Sequence, residues 1–399
     1  MLRPQPIGIF SLPANYLLLT ETWANSRTYK NLLNGILPTE DSFYKFVIEG
    51  NFGKALIALE DDDSPEMKFN RFVLNSSPEV YQQLKQEFTG EYRLILEVVA
   101  YTLNYIPEPP NTENSDGELL AFILLSQASH KIELSEIEAA IDLLQAASEA
   151  AKIVSPMFYG QILTSLAETQ HQFFGAAPNV IQTYKNALDI LKKSELEFVK
   201  ASINMNLGIC YQEMSKGSRG ALLEAVKCYQ ESLKYFTKEK SPEEFAFAQN
   251  NLALAYLSMP MIEASDQLRV AIAIQALRET LRVYQKETHG ELWASTQLNL
   301  ANALQYAPSS HIEENLKEAV NLYEEILSVR QPTENPVGYA RLLANQGNAL
   351  AHLGIFEHAI PKLNEAMNIF NQIEDLDSAN SIKEILDEIE ANKTAVATN

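Results

Sequence analysis

Four asparagines recur along this chain at intervals in the forties: Asn206, Asn251, Asn299 and Asn345. A side-chain amide carries one acceptor and two donors, so it can pair with both the N–H and the C=O of a peptide unit. A row of such amides can hold an extended segment by its backbone, largely independent of sequence. Asn302 and Asn348 follow Asn299 and Asn345 by three residues, which on a helix puts them on the same face. Asn250 adjoins Asn251, and Arg341 is the obvious cation on a face otherwise made mainly of Asn, Ser, Leu and Phe. Leu254, Leu298 and Phe247 would add apolar contacts there. These eight polar residues form the candidate peptide-binding set.

Other chemistry finds little support. The six histidines (His130, His171, His289, His311, His352 and His358) are scattered, and none sits in an HExxH pattern or is expected to pair with a Cys or Ser. His352 and His358 straddle a helix turn and read as a solvated corner rather than a metal site. Gly217-Ser218-Arg219-Gly220 lacks the Gly-Lys-Ser/Thr of a phosphate loop and reads as an interhelix turn. Cys210 and Cys228 fit no metal spacing and are expected as buried thiols. No metal or cofactor is expected, and no motif supports catalysis.

The elements that must carry the asparagines are visible as a repeat. Trp293–Leu304 reads WASTQLNLANAL and Tyr339–Leu350 reads YARLLANQGNAL, 46 residues apart. Weaker versions occur at Phe245–Tyr256 and Val199–Tyr211. A period of this length is the mark of stacked helix pairs. First helices are expected near 157–174, 197–215, 243–258, 289–306 and 335–353, and second helices near 178–194, 221–238, 267–286, 313–329 and 355–372. A more degenerate pair precedes them at 118–130 and 133–151. Each first helix has a small residue in an apolar frame (Ala167, Gly208, Ala253, Ala301, Gly347), where a missing side chain admits the second helix. The second helices answer with pairs one turn apart: Val180 with Tyr184, Ala225 with Tyr229, Ala273 with Leu277, Ala319 with Tyr323, Ala359 with Leu363. The asparagine two residues before each small residue then points about 200° away, to the opposite side of the helix. Trp293 is expected to pack between repeats.

Asn206-Leu207-Gly208, NLALAY (Asn251–Tyr256), NLANAL (Asn299–Leu304) and NQGNAL (Asn345–Leu350), with EAVKCYQESL (Glu224–Leu233), EAVNLYEEIL (Glu318–Leu327) and HAIPKLNEAM (His358–Met367), resemble the tetratricopeptide repeat family. The likeness is to its longer bacterial variant and covers roughly 157–372. Extra residues between helices, at Ser215–Ala221 and Met259–Val270, depart from the 34-residue rule. The resemblance implies an all-α fold, a right-handed superhelical solenoid of stacked antiparallel helix pairs. It also implies that Asn206, Asn251, Asn299 and Asn345 line a concave groove that holds peptides. Members that grip acidic chaperone tails use Lys and Arg on this face, which this chain lacks apart from Arg341.

Composition bounds the rest. The 399 residues are 46% hydrophobic with a formal charge of −21, which argues against a nucleic-acid or anionic-membrane binder and allows a basic protein partner. Residues 1–117 hold 16 Asp/Glu against 9 Lys/Arg, which weakens a DNA-binding reading of that part. No apolar run approaches the roughly 18 residues of a membrane span. The first 21 residues, with Pro13 and Asn15 breaking the apolar stretch, do not read as a signal peptide, so the cytoplasm is the expected compartment.

The expected organisation is an N-terminal helical segment (1–105), a Pro/Asn-rich linker (106–117), a solenoid (118–376) and a capping helix with a flexible tail (377–399). In the first segment, helical spacing marks Phe43–Glu49, Lys54–Leu59, Pro78–Phe88 and Glu91–Tyr105, with the acidic run Glu60–Glu66 as a solvated break. The expected function is non-catalytic: a scaffold or adaptor that captures a protein segment. The alternative is a peptide-sensing regulator that transmits binding to its N-terminal segment.

Overall fold

A computed structural model describes residues 18–19, 27, 31, 34–37, 39–262 and 266–397. Residues 1–17, most of the stretch not read as a signal peptide, lie outside them. Among the described residues there are eighteen helices and no strand. In chain order they are α1 (Ser42–Ile48), α2 (Phe52–Ala58), α3 (Pro65–Leu74), α4 (Pro78–Glu87), α5 (Gly90–Thr102), α6 (Gly117–Glu133), α7 (Ile137–Ala151), α8 (Pro156–Phe174) and α9 (Pro178–Leu191). There follow α10 (Glu197–Glu213), α11 (Arg219–Ser232), α12 (Pro242–Leu257), α13 (Asp266–Leu281), α14 (Gly290–Tyr306), α15 (Ile312–Leu327), α16 (Pro336–His352), α17 (Phe356–Gln372) and α18 (Leu376–Ala397).

Local chemistry explains many of the starts. Six helices begin with proline in the first turn, where its missing N–H costs nothing. Ser64, Ser77 and Asn335 cap three of these, accepting hydrogen bonds from Met67 N, Val80 N and Gly338 N. The Ser64-Pro65 start places α3 inside the acidic run read as a break, so that break ends at Ser64. The solenoid helices fall within a few residues of the expected spans. The last helix runs to Ala397, into the stretch expected as a flexible tail.

Two compact units divide the chain, Met1–Met214 and Ser215–Asn399. In the first, one core cluster continues from Phe69, Phe72 and Tyr81 through Leu96 and Leu119 to Phe158 and Ile162. It thus passes across 106–117, where Gln127 Nε2 donates to Pro110 O at 2.8 Å. The compact units therefore separate at 214/215, about a hundred residues beyond the expected linker. Buried Asn70 holds Leu19 on both sides, accepting from its N–H and donating to its carbonyl at 2.7 Å each.

In the second unit α12/α13, α14/α15 and α16/α17 are packed pairs, and α18 closes the end. Ala253, Ala273, Leu277, Ala301, Ala319 and Tyr323 are fully buried, as the small-against-bulky pattern requires. At Gly347 the approach is so close that a Cβ would stand 2.7 Å from Leu363 Cγ. Helix α18 buries Ala379, Ile382 and Ile389 and turns most of its acids to solvent. Trp293 packs against the core of this unit.

Candidate functional site

The asparagines sit on the first helices as expected, all partly buried, but their amides are used differently. Asn345 Nδ2 donates to Asn302 Oδ1 across successive first helices at 3.0 Å. The Tyr323 hydroxyl lies 2.7 Å from the same Oδ1 and 2.8 Å from Gln305 Oε1, sharing its one proton between them. The first unit repeats the amide bond between first helices with a different acceptor. Asn206 Nδ2 donates to Glu168 Oε1 at 3.0 Å, while the Tyr184 hydroxyl is buried with no hydrogen-bond partner among the described residues. Glu168 follows Ala167 as Asn302 follows Ala301, so one rule describes both. The ladder asparagine donates to an acceptor on the preceding first helix, at the residue after that helix's small alanine.

Burial raises the pKa of both tyrosines. It raises Glu168 as well, with the Asn206 hydrogen bond opposing. The residue as a whole stays exposed, but its carboxylate is turned toward α10.

The rule fails at Asn299. Its counterparts across the stack are Leu254, after Ala253, and Leu277, in place of the tyrosine. Neither can bond an amide, and the Asn299 side chain makes no hydrogen bond among the described residues. Asn251 Nδ2 turns back to Phe247 O in its own helix at 2.9 Å. Asn250 Oδ1 is buried with no hydrogen-bond partner. Asn348 is half-buried, and Arg341 is exposed, with its charge helping to lower the Asp375 carboxyl after two hydrogen bonds from Ser378. Phe247 is exposed, and Leu254 and Leu298 are half-buried.

Asn299 instead borders a cleft of about 410 Å³ between α12, α13 and α14. Its polar lining is Asn299, Asn302, Tyr256, Tyr306 and Arg269; Leu257, Met259, Val270 and Ala303 supply much of the apolar wall. Arg269 is 8% exposed. Burial raises the Tyr256 hydroxyl, and the Arg269 charge opposes that shift. Arg269 is the member that sequence reasoning missed. It lies in the extra residues Met259–Val270, outside the repeat register, and only the neighbouring Met259-Pro260 break hinted at a special loop.

A second cluster also escaped. His171 Nδ1 is 3.5 Å from Cys210 Sγ, and His171 Nε2 is 3.0 Å from Glu213 Oε2. The expectation that no histidine pairs with a cysteine is therefore corrected. The two lie 39 residues apart on α8 and α10, and the stacking of first helices joins them. Cys210 is fully buried, so its thiol faces no substrate. Among the described residues no group of three His, Cys, Asp or Glu side chains can hold a metal ion, and no helix is long and apolar enough to cross a membrane.

No protein-family model matches the chain, and neither does any curated protein. Among solved structures, BtubC from P. vanneervenii is similar at 17% identity over 62% of this chain and 92% of that one, with a TM-score of 0.44. The Cut9–Hcn1 structure matches at 16% identity and TM-score 0.46 over 91% of this chain, which spans 60% of that one. A Rap protein complexed with competence and sporulation factor matches at 13% and 0.39, over 89% and 95%. Such likenesses extend to fold alone. From its own helix pairing, the chain is an all-α solenoid of tetratricopeptide type.

Proposed function

We propose that the chain is a protein-interaction scaffold or adaptor whose second unit captures a partner segment on its first-helix face. The observation that carries this reading is Asn299. Where Asn206 and Asn345 spend an amide hydrogen on stacking, Asn299 keeps its full pairing capacity at the rim of an apolar cleft. An amide held on a packed helix is oriented before the partner arrives, which lowers the ordering cost of binding. The formal charge of −21 favours a partner with a positive surface around the captured segment. The reading is non-catalytic, and the thiol of the Cys210–His171 pair is fully buried.

The test is selection of a displayed random-peptide library on the full chain, followed by calorimetry of enriched peptides. Asn299→Ala should weaken them several-fold. Changing Asn206, Asn251, Asn299 and Asn345 together to Ala should abolish binding while circular dichroism stays helical. Failure to enrich any peptide, or equal affinity for wild type and N299A, would sink the proposal.

A further inference from the structure

The cleft of the second unit contains a charge arrangement that peptide-backbone capture does not use. Arg269 Nη2 donates to the carbonyls of Met259 and Pro260 at 3.1 and 3.2 Å, so the guanidinium is fixed by the loop that precedes α13. Its Nη1 is paired with Asp266 Oδ1 at 3.3 Å. Its Nε is buried and has no hydrogen-bond partner. Asp266, 3% exposed, is not a counter-ion for Arg269 alone. Arg219 approaches both of its oxygens, at 3.2 and 3.3 Å, and Ile262 N donates to it at 2.8 Å. Among the described residues the cluster thus sets two guanidinium groups against one carboxylate. Arg219 is a third exposed, so the buried Arg269 shares its carboxylate with a second, partly solvated cation, and a site so short of negative charge gains by acquiring an anion.

The remaining polar groups agree in sign. Asn302 has spent Oδ1 on Asn345 and Tyr323, so it offers the cleft its N–H groups. Asn299 can turn its amide either way. Tyr256 and Tyr306 add hydroxyls. Among the described residues, donors therefore outnumber free acceptors around Arg269. The walls at Leu257, Met259, Val270 and Ala303 are apolar, and the volume of about 410 Å³ is at the lower end for small-ligand sites. A small hydrated anion would leave those walls wet.

We propose that this cleft binds a carboxylate carried on an apolar body, with Arg269 and the Asn299 and Asn302 amides on the carboxylate and the body against the α12–α14 wall. A free organic acid and a chain ending in an apolar residue share this chemistry. The inference rests on the cleft being the capture site of the second unit.

The experiment is calorimetry on the full chain with 4-phenylbutyrate and its uncharged amide, 4-phenylbutyramide. A second pair is N-acetyl-Gly-Ser-Phe with a free and with an amidated end. Each free acid should bind at least about tenfold tighter than its amide, since the charge-assisted interaction with Arg269 is lost. Arg269→Lys should weaken the acids about tenfold or more and leave the amides unchanged, and Asn299→Ala should weaken the acids by a similar factor. Arg269→Gln removes the charge itself, with circular dichroism as its folding check. N299A keeps the test decisive if R269Q unfolds, because Asn299 holds no structural hydrogen bond. Stronger binding of the tripeptide than of phenylbutyrate assigns the carboxylate to a chain end, and the reverse assigns it to a free acid. Equal affinity of acids and amides, acid binding indifferent to both R269K and N299A, or no binding of any probe at millimolar concentration would overturn the inference. Library peptides that bind through Asn299 without any carboxylate dependence would overturn it too, while partner capture would stand.

Discussion

Two asparagines three residues apart on α14 carry opposite assignments, and their variants should separate them. Asn302 accepts from Asn345 and Tyr323, so Asn302→Ala leaves polar groups unsatisfied and should cost about 1–3 kcal/mol in denaturant unfolding. Asn299→Ala breaks no such bond and should stay within about 0.5 kcal/mol of wild type while losing ligand affinity. A stability loss at Asn299 equal to that at Asn302 would mean that both serve stacking. Glu168 gives a pH test. Its folded-state pKa is raised above the ordinary value of 4.5, chiefly by burial. The folded state therefore holds its proton to higher pH than the unfolded chain, and stability falls as pH rises above that value. Glu168→Gln keeps the acceptor for Asn206 without the charge. It should raise the melting temperature at pH 7.5, with the gain fading by pH 4.5; a loss at pH 7.5 would refute the assignment. The row of amides was legible from spacing alone. Which amide is spent was not, because that depends on what stands opposite: Glu168 with Tyr184, Asn302 with Tyr323, or Leu254 with Leu277.

At the level of elements, the repeat legible in the sequence was mostly one of size. Buried Ala253, Ala301 and Gly347 admit second helices because nothing larger fits. At Gly347 an added methyl meets Leu363 Cγ at 2.7 Å and the Ala359 carbonyl at 3.3 Å. Gly347→Ala should therefore destabilise by about 1–3 kcal/mol from overpacking, less the roughly 1 kcal/mol that Ala gains in a helix. Gly220, in the first turn of α11, meets nothing nearer than 3.9 Å, so Gly220→Ala should be neutral or stabilising by up to about 1 kcal/mol. Similar effects at both sites in urea melts would contradict close approach as the reason for glycine at 347. What spacing could not show lies where the register is interrupted. Helix α3 starts on Ser64-Pro65 at the end of an acidic run, and Arg269 sits in an insertion. Neither position is fixed by the 46-residue period, and each owes its place to a cap or to loop carbonyls.

For the whole molecule, the division at 214/215 makes a stronger statement than the Pro/Asn-rich stretch at 106–117. That stretch looked like a linker because proline and asparagine break periodicity, yet the core of the first unit continues across it. Chain-local composition reports only whether a segment is helical, whereas unit boundaries depend on which helices share a core. In a solenoid, stability is close to a sum of each repeat and its nearest-neighbour interfaces, so a run of pairs with its own cap can stand alone. The second unit has three packed pairs, the closing helix α18, and the Arg219–Asp266–Arg269 cluster entirely on its own side. Lys216 is exposed and, with Gly217, turns through positive φ just before α11. Brief trypsin treatment should cut there before it cuts at Lys227 within α11 or Arg278 within α13. The fragment from Gly217 onward should melt cooperatively and bind 4-phenylbutyrate with the affinity of the full chain. A fragment that is unfolded by circular dichroism would show that the second unit draws its stability from outside its own helices. A folded fragment that has lost the acid would move the anion site out of the cleft.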